Sequence, residues 1–179
     1  SWAGRKLALV LEYDGTRYHG FQFQANAPSV QAAVEEAIVR LTGERVRIKA
    51  AGRTDAGVHA AGQVVAFGTH FAYDVNIFRR GLNHYLPDDI VVRAATEVAA
   101  TFDPRRHAVS RVYRYTVLNR DVRSPLWRRF ALLVEESLDG EAMGKALAYL
   151  QGGPRDFAPF SGALGSVKTT VRVVHRAEV

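Results

Sequence analysis

Along the first hundred residues the spacing of apolar and polar positions shifts repeatedly between strand-like and helical, and each shift marks an element. Lys6 to Tyr13 is apolar on both parities, with Leu7, Leu9 and Leu11 on one and Ala8 and Val10 on the other. That pattern predicts a central strand covered on both faces or touching a second layer. Asp14-Gly15 turns it. Ser29 is placed to cap a helix in which Val30, Val34, Ile38 and Leu41 recur at helical spacing, with Gly43 as its stop. Val46 to Ala51 alternates as a strand, and Gly62 to Gly68 forms a second one. Asp74 caps the next helix, with Val75, Phe78, Leu82 and Tyr85 inward and Pro87 ending it. Ile90 to Val98 reads as a further strand. The order β-α-β-β-α-β predicts an α+β fold with a ferredoxin-like (RRM-like) unit over residues 1–104.

The remainder, residues 105–179, starts the same kind of layer. Arg111 to Asn119 and Phe130 to Glu135 read as strands. Asp139 to Leu150 reads as a helix with Met143, Leu147 and Leu150 on one face, closed by Gly152-Gly153-Pro154. Thr169 to Val179 alternates, with Val171, Val173, Ala177 and Val179 on one parity and no closing turn. The expectation is part of a second, similar α/β domain sharing a continuous, mainly antiparallel sheet with the first. An edge left this way calls for more chain or a partner, and a longer native protein is the favoured expectation. The single Met is the internal Met143, so Ser1 is not the expected native start.

Composition narrows the class. Hydrophobic residues make up 47% and charged residues 23% of 179, which is globular and excludes a disordered or collagen-like chain. The longest aliphatic run, Leu7 to Leu11, is far short of the ~20 residues that span a bilayer, so no membrane segment is expected. Ser1 to Lys6 has no apolar stretch behind it of the kind a signal peptide needs. The absence of cysteine excludes a disulfide scaffold, a thiol nucleophile and a Cys-based zinc site, and fits a reducing cytoplasm. Charge is uneven. Between Asp103 and Arg129 lie eight Arg and two Asp, a local excess equal to the +6 of the entire chain. Arg105, Arg106, Arg111, Arg114, Arg128 and Arg129 are interleaved there with Tyr113, Tyr115 and Trp127. Guanidinium forks match phosphate oxygens and stack on bases, so the cluster points to a nucleic acid.

The segment richest in chemistry is Ala51-Gly52-Arg53-Thr54-Asp55-Ala56-Gly57-Val58-His59-Ala60. Two glycines turn the backbone tightly around Asp55, and Arg53 places positive charge two residues away, which favours the ionised carboxylate. By itself such a turn is more often structural than functional. Asp55 and His59 do not make a metal site, and no P-loop, dinucleotide fingerprint or nucleophile elbow occurs. A lone carboxylate among arginines and aromatics remains, suited to covalent or electrostatic work on a nucleotide without a cofactor. A non-catalytic RNA-binding module has the same cluster and sheet, but it has no need of a carboxylate beside phosphate-reading arginines.

Glu12-Tyr13-Asp14-Gly15-Thr16, Gly20-Phe21-Gln22-Phe23-Gln24, the run Gly52 to Ala60 with Gly62-Gln63-Val64, Asn83 with Leu86-Pro87, and Tyr113-Arg114-Tyr115 together resemble the TruA family of tRNA pseudouridine synthases. The blocks keep the family's order from residue 7 to at least 165, with Phe21 where the family usually has Trp. The resemblance implies isomerisation of uridine to pseudouridine on the 3′ side of the tRNA anticodon stem-loop, without cofactor or metal, by a homodimer. It places catalysis on Asp55, the holding of the flipped nucleotide on Arg53, and stacking against the target ring on Tyr113. It also implies a later helical block with an Arg that pairs with the catalytic Asp, beyond Val179.

Binding carried by the arginine cluster is expected to weaken steeply with salt, with a slope of log affinity against log salt near ~0.9 per duplex phosphate neutralised. Removing the charges of Arg111 and Arg114 together is expected to flatten that slope, measured by titrating tRNA at several salt concentrations.

Overall fold

The computed structural model describes residues 4–161 and 169–179. Residues 1–3 of the N-terminal stretch, and residues 162–165 at the end of the family resemblance, lie outside the described residues. The protein is a mixed α/β chain in two compact units, residues 1–113 and 114–179.

In the first unit the elements follow in the order β1 (Arg5–Tyr13), α1 (Val30–Thr42), β2 (Lys49–Ala50), β3 (Ala60–Thr69), α2 (Val75–Tyr85) and β4 (Ile90–Val98). The sheet order is β2-β3-β1-β4 with every neighbouring pair antiparallel. β1 is central, as its apolar residues on both parities require: Leu9 lies opposite Val65 on one side and Ala95 on the other. Leu7, Leu9, Leu11 and Tyr13 are buried with Val30, Val34 and Ile38 of α1 and Phe78 and Leu82 of α2 in one core. Of the opposite parity, Ala8 is buried, Val10 half-buried and Glu12 exposed. The amphipathic pattern of each helix therefore matches one face of the sheet, at ~1.5–3 kcal/mol per fully buried large side chain.

The helix ends follow their capping residues. Ser29 accepts a hydrogen bond from the Ala32 amide, and Gly43, at φ +76°, closes α1 with its N–H on the Val39 carbonyl. Asp74 accepts from the Asn76 amide at the start of α2. Asn83, on α2, reaches the outer edge of β4. Its Nδ2 donates to the Val92 carbonyl at 2.9 Å and its Oδ1 accepts from the Val92 amide at 2.7 Å.

The strand expected over Val46–Ala51 shortens to Lys49–Ala50. Side chains of α1 take the backbone groups just before it. The Ile48 amide donates to Glu35 Oε1 at 3.0 Å, and Gln31 Nε2 donates to the Ile48 carbonyl at 3.4 Å.

The second unit holds β5 (Val117–Asn119), β6 (Leu132–Val134), α3 (Gly140–Ala148), β7 (Arg155–Asp156) and β8 (Val171–Arg172). The described strands of the chain form three separate sheets, one in the first unit and two in this one, rather than one continuous sheet, and β5 pairs with β6 in parallel, not antiparallel. The long strands expected over Arg111–Asn119 and Thr169–Val179 reduce to three and two residues. Alternation extends a strand only where one face can be buried. None of the described residues of this unit is buried, and Met143 on α3 stays 37% exposed.

Replacing Asn83 with Ala leaves the outward amide and carbonyl of Val92 without their side-chain partner. It is expected to lower unfolding free energy by ~1–3 kcal/mol, read from the urea midpoint.

Candidate active site

The segment joining β2 to β3 carries Asp55, and its backbone is held from several directions. The Ala51 amide continues the sheet onto the Val64 carbonyl at 2.8 Å. Gln63 of β3 then grips the peptide groups of Gly52 from both sides, with Nε2 donating to the carbonyl at 2.5 Å and Oε1 accepting from the amide at 3.4 Å. Thr54 is fixed twice. Its carbonyl accepts from the Phe21 amide at 2.9 Å, and its Oγ1 shares a 2.8 Å hydrogen bond with the Tyr13 hydroxyl. The Val58 amide closes a tight turn onto the Asp55 carbonyl at 3.1 Å, and the Gly57 amide donates to the Tyr18 carbonyl at 3.1 Å.

Beneath this turn lies the corner that follows β1. A β-carbon on Gly15 would stand 2.0 Å from the Val58 carbonyl oxygen, so glycine here answers to close backbone approach rather than to the turn alone. The Gly15 amide donates to His59 Nδ1 at 3.1 Å, and that nitrogen also lies 3.0 Å from Asp14 Oδ1. Gly20, at φ +94°, brings the chain close to the Thr54 carbonyl, whose oxygen would stand 2.9 Å from a β-carbon there. Tyr18 completes the corner: its hydroxyl donates to Asp89 Oδ1 at 2.7 Å. Burial, with help from that bond, pushes its pKa up to about 12. Burial likewise raises the Tyr13 phenol above its ordinary value.

All this restraint falls on the backbone and leaves the Asp55 side chain exposed, with no hydrogen bond or ion pair to another described residue. Arg53 is exposed as well and forms no ion pair with Asp55 among the described residues. Tyr113 ends the first unit and is 82% exposed. Arg105 and Arg106 are exposed in the same unit, and Arg114, Arg128 and Arg129 are exposed in the second. Arg111 is engaged with backbone: its Nη2 donates to the Ala51 carbonyl at 2.7 Å and to the Arg105 carbonyl at 3.3 Å. Among the described residues no group of three or more His, Asp or Glu is placed to hold a metal ion. No helix there is long and apolar enough to cross a membrane.

Comparison with known proteins bears directly on this loop. Residues 9–105 match the family model described as tRNA pseudouridine synthase. The chain is 47% identical to tRNA pseudouridine synthase A of Pelobacter propionicus over 168 residues, 94% of this chain and 68% of that protein. The chain belongs to the tRNA pseudouridine synthase family. It is also 46% identical to tRNA pseudouridine synthase A of Geobacter sulfurreducens over 98% of its own length and 71% of that relative's. Identity to the Myxococcus xanthus protein of the same name is 47%, over 97% of this chain and 65% of that one. The matched region of this synthase-family chain contains the whole Asp55 loop together with Tyr13, Gly15, Tyr18, Phe21 and Gln63, which anchor it.

Gly15→Ala is expected to dislodge the loop, since the obstructing atom is backbone and cannot swing away. Gly57→Ala meets open space and bears only the cost of its φ of +78°, about 1–2 kcal/mol. Hydrogen exchange of the amides from Thr54 to Val58 is expected to quicken far more in the first variant than in the second.

Proposed function

We propose that the chain isomerises uridine to pseudouridine in tRNA, on the 3′ side of the anticodon stem-loop, with Asp55 as the catalytic carboxylate. The observation that carries this reading is the Asp55 side chain itself, presented to solvent without a partner among the described residues from a backbone fixed on both sides. A carboxylate held only for structure is ordinarily spent on nearby amides. Asp14, which accepts from the Thr16 amide at 2.9 Å, is of that kind.

The reaction breaks the bond from the sugar to a uracil nitrogen and makes one from the same sugar carbon to a ring carbon. That ring carbon gives up a proton and the freed nitrogen takes one, so nothing is oxidised or reduced. Asp55 serves either as a nucleophile on the nucleotide or as the negative charge that stabilises the detached sugar. Exposure suits either role, because the substrate supplies the walls of the site. The target must first leave its stack, at a cost of a few kcal/mol. Arg53 fills the gap left by the flipped nucleotide, and phosphate contacts from Arg105, Arg106, Arg114, Arg128 and Arg129 offset the rest. Tyr113 stacks on the loosened ring and keeps it in place while it turns. The interleaved order of strands and helices in residues 1–104 supports a ferredoxin-like arrangement for the unit that carries Asp55, and the working enzyme is a homodimer.

Asp55→Asn is expected to abolish pseudouridine formation, read by nucleoside analysis of tRNA after incubation, and to leave tRNA affinity within a few-fold. Near-normal turnover by this variant would remove the catalytic assignment.

A further inference from the structure

We propose that Arg111 is a positioning residue for catalysis, a clamp that ties the segment carrying Tyr113 to the root of the Asp55 loop, and not one of the phosphate-binding arginines. The proposal rests on the reading of Asp55 as the catalytic carboxylate.

Three observations meet at this side chain. Its Nη2 donates to two backbone carbonyls that are far apart in sequence, Ala51 at 2.7 Å and Arg105 at 3.3 Å. A β-carbon built on Gly52 would lie 3.4 Å from Arg111 Nε and 3.8 Å from its Cδ, so the side chain passes Gly52 in van der Waals reach of the space a β-carbon would fill. The peptide groups of Gly52 are in turn gripped by Gln63. The guanidinium thus joins the segment leaving β4, the first residues of the catalytic loop and, through Gln63, β3. Arg105 is held from its own side: its amide donates to Asp103 Oδ1 at 2.9 Å, beside that of Arg106 at 3.1 Å, and these bonds hold the Asp103 carboxyl below its usual range.

The consequence falls on Tyr113. It follows Arg111 by two residues, so its Cα stays within ~7 Å of that of Arg111. Residues 108–116 have no regular secondary structure, and Tyr113 is 82% exposed. The two hydrogen bonds of Arg111 are therefore the tether that sets where this tyrosine enters relative to Asp55. An arginine used this way is not interchangeable with lysine, because a planar guanidinium passing beside Gly52 while reaching two carbonyls has no counterpart in an ammonium on a flexible stem. A phosphate contact, by comparison, largely tolerates the exchange. Arg114, exposed three residues further on, has no partner among the described residues and is the phosphate-directed member of the pair.

The test measures single-turnover pseudouridine formation at saturating tRNA, together with tRNA affinity across a range of salt, for Arg111→Gln, Arg111→Lys, Arg114→Gln and Gly52→Val. The last keeps the arginine but pushes it off its seat. Loss of the clamp is expected to slow the chemical step by on the order of 100-fold in Arg111→Gln and Gly52→Val, the scale of a ~1 Å misplacement of a reacting group. Arg111→Lys is expected to stay slow. The salt slope is expected to be unchanged in all three, and to fall by about one in Arg114→Gln. A slope lowered by about one in Arg111→Gln and restored in Arg111→Lys, with the rate unaltered, would overturn the proposal and return Arg111 to the RNA-binding set. Slowing that tracks a fall in the urea midpoint as large as that of Asn83→Ala would overturn it too, leaving a merely structural role. Asp55→Asn in the same assay separates the two assignments. Turnover by that variant overturns the reading of Asp55 and the clamp with it. Unslowed Arg111 variants beside an inactive Asp55→Asn overturn the clamp alone.

Discussion

A side chain can be left open to solvent and still point in one direction only if the backbone beneath it has nowhere else to go. The loop from Ala51 to His59 meets that condition through the need of its amides and carbonyls for partners once they leave the sheet. Gln63, Tyr18, Phe21 and Arg111 supply those partners from separate stretches of chain, and the Tyr13 hydroxyl adds a bond to the Thr54 side chain. Gly15 lets the loop settle directly on the corner after β1, at a distance no other residue permits. The geometry at Asp55 is thus a by-product of satisfying neighbouring peptide groups. The carboxylate stays uncommitted because none of the anchoring is assigned to it.

Cohesion is distributed unequally. Every anchor of the loop lies between residues 13 and 111, inside the unit whose core runs from β1 to the two helices. That core fixes Tyr13 and Phe21 as packed side chains before either contributes to the loop, and their rings stand 6.4 Å apart. In the second unit the described apolar residues keep substantial exposure, Tyr115 at 79% and Leu126 at 85% among them. With little apolar area withdrawn from water, at ~25 cal/mol per Å², there is little to lengthen its strands beyond two or three residues. The loop's precision is owed to the first unit alone.

Much of the first unit was legible in the sequence because its signals were local. The helices start at Ser29 and Asp74, as their capping chemistry dictates, and β4 begins and ends at the residues its pattern marked. Asp55 was legible as a candidate because Arg53 stands two residues from it and because the run from Gly52 to Ala60 resembles a family motif, not because a carboxylate in a glycine turn is unusual. What could not be read were relations across long separations. Gln63 sits in a recognisable block, yet nothing in its neighbourhood says that it grips Gly52. Arg111 looked like its neighbours in a run of arginines, and only the fold sets it against a carbonyl 60 residues earlier. Gly15 read as a turn residue, whereas its decisive neighbour is the Val58 carbonyl. In the second unit periodicity misled, because alternation records a tendency to pair and not the presence of a face to bury.

The Asn83 amide on β4 has a consequence for behaviour in a crowded solution. An edge strand with open backbone groups is a template on which another chain can continue the sheet, and proteins commonly guard such edges with charge, proline or a covering element. Here a helix does so with a single side chain, because an amide presents the same donor and acceptor that an incoming strand would offer. A foreign segment aligning along β4 meets at Val92 a position already answered from within the molecule. The interaction that fastens α2 to the sheet therefore also limits the sheet's capacity to grow by recruiting strangers.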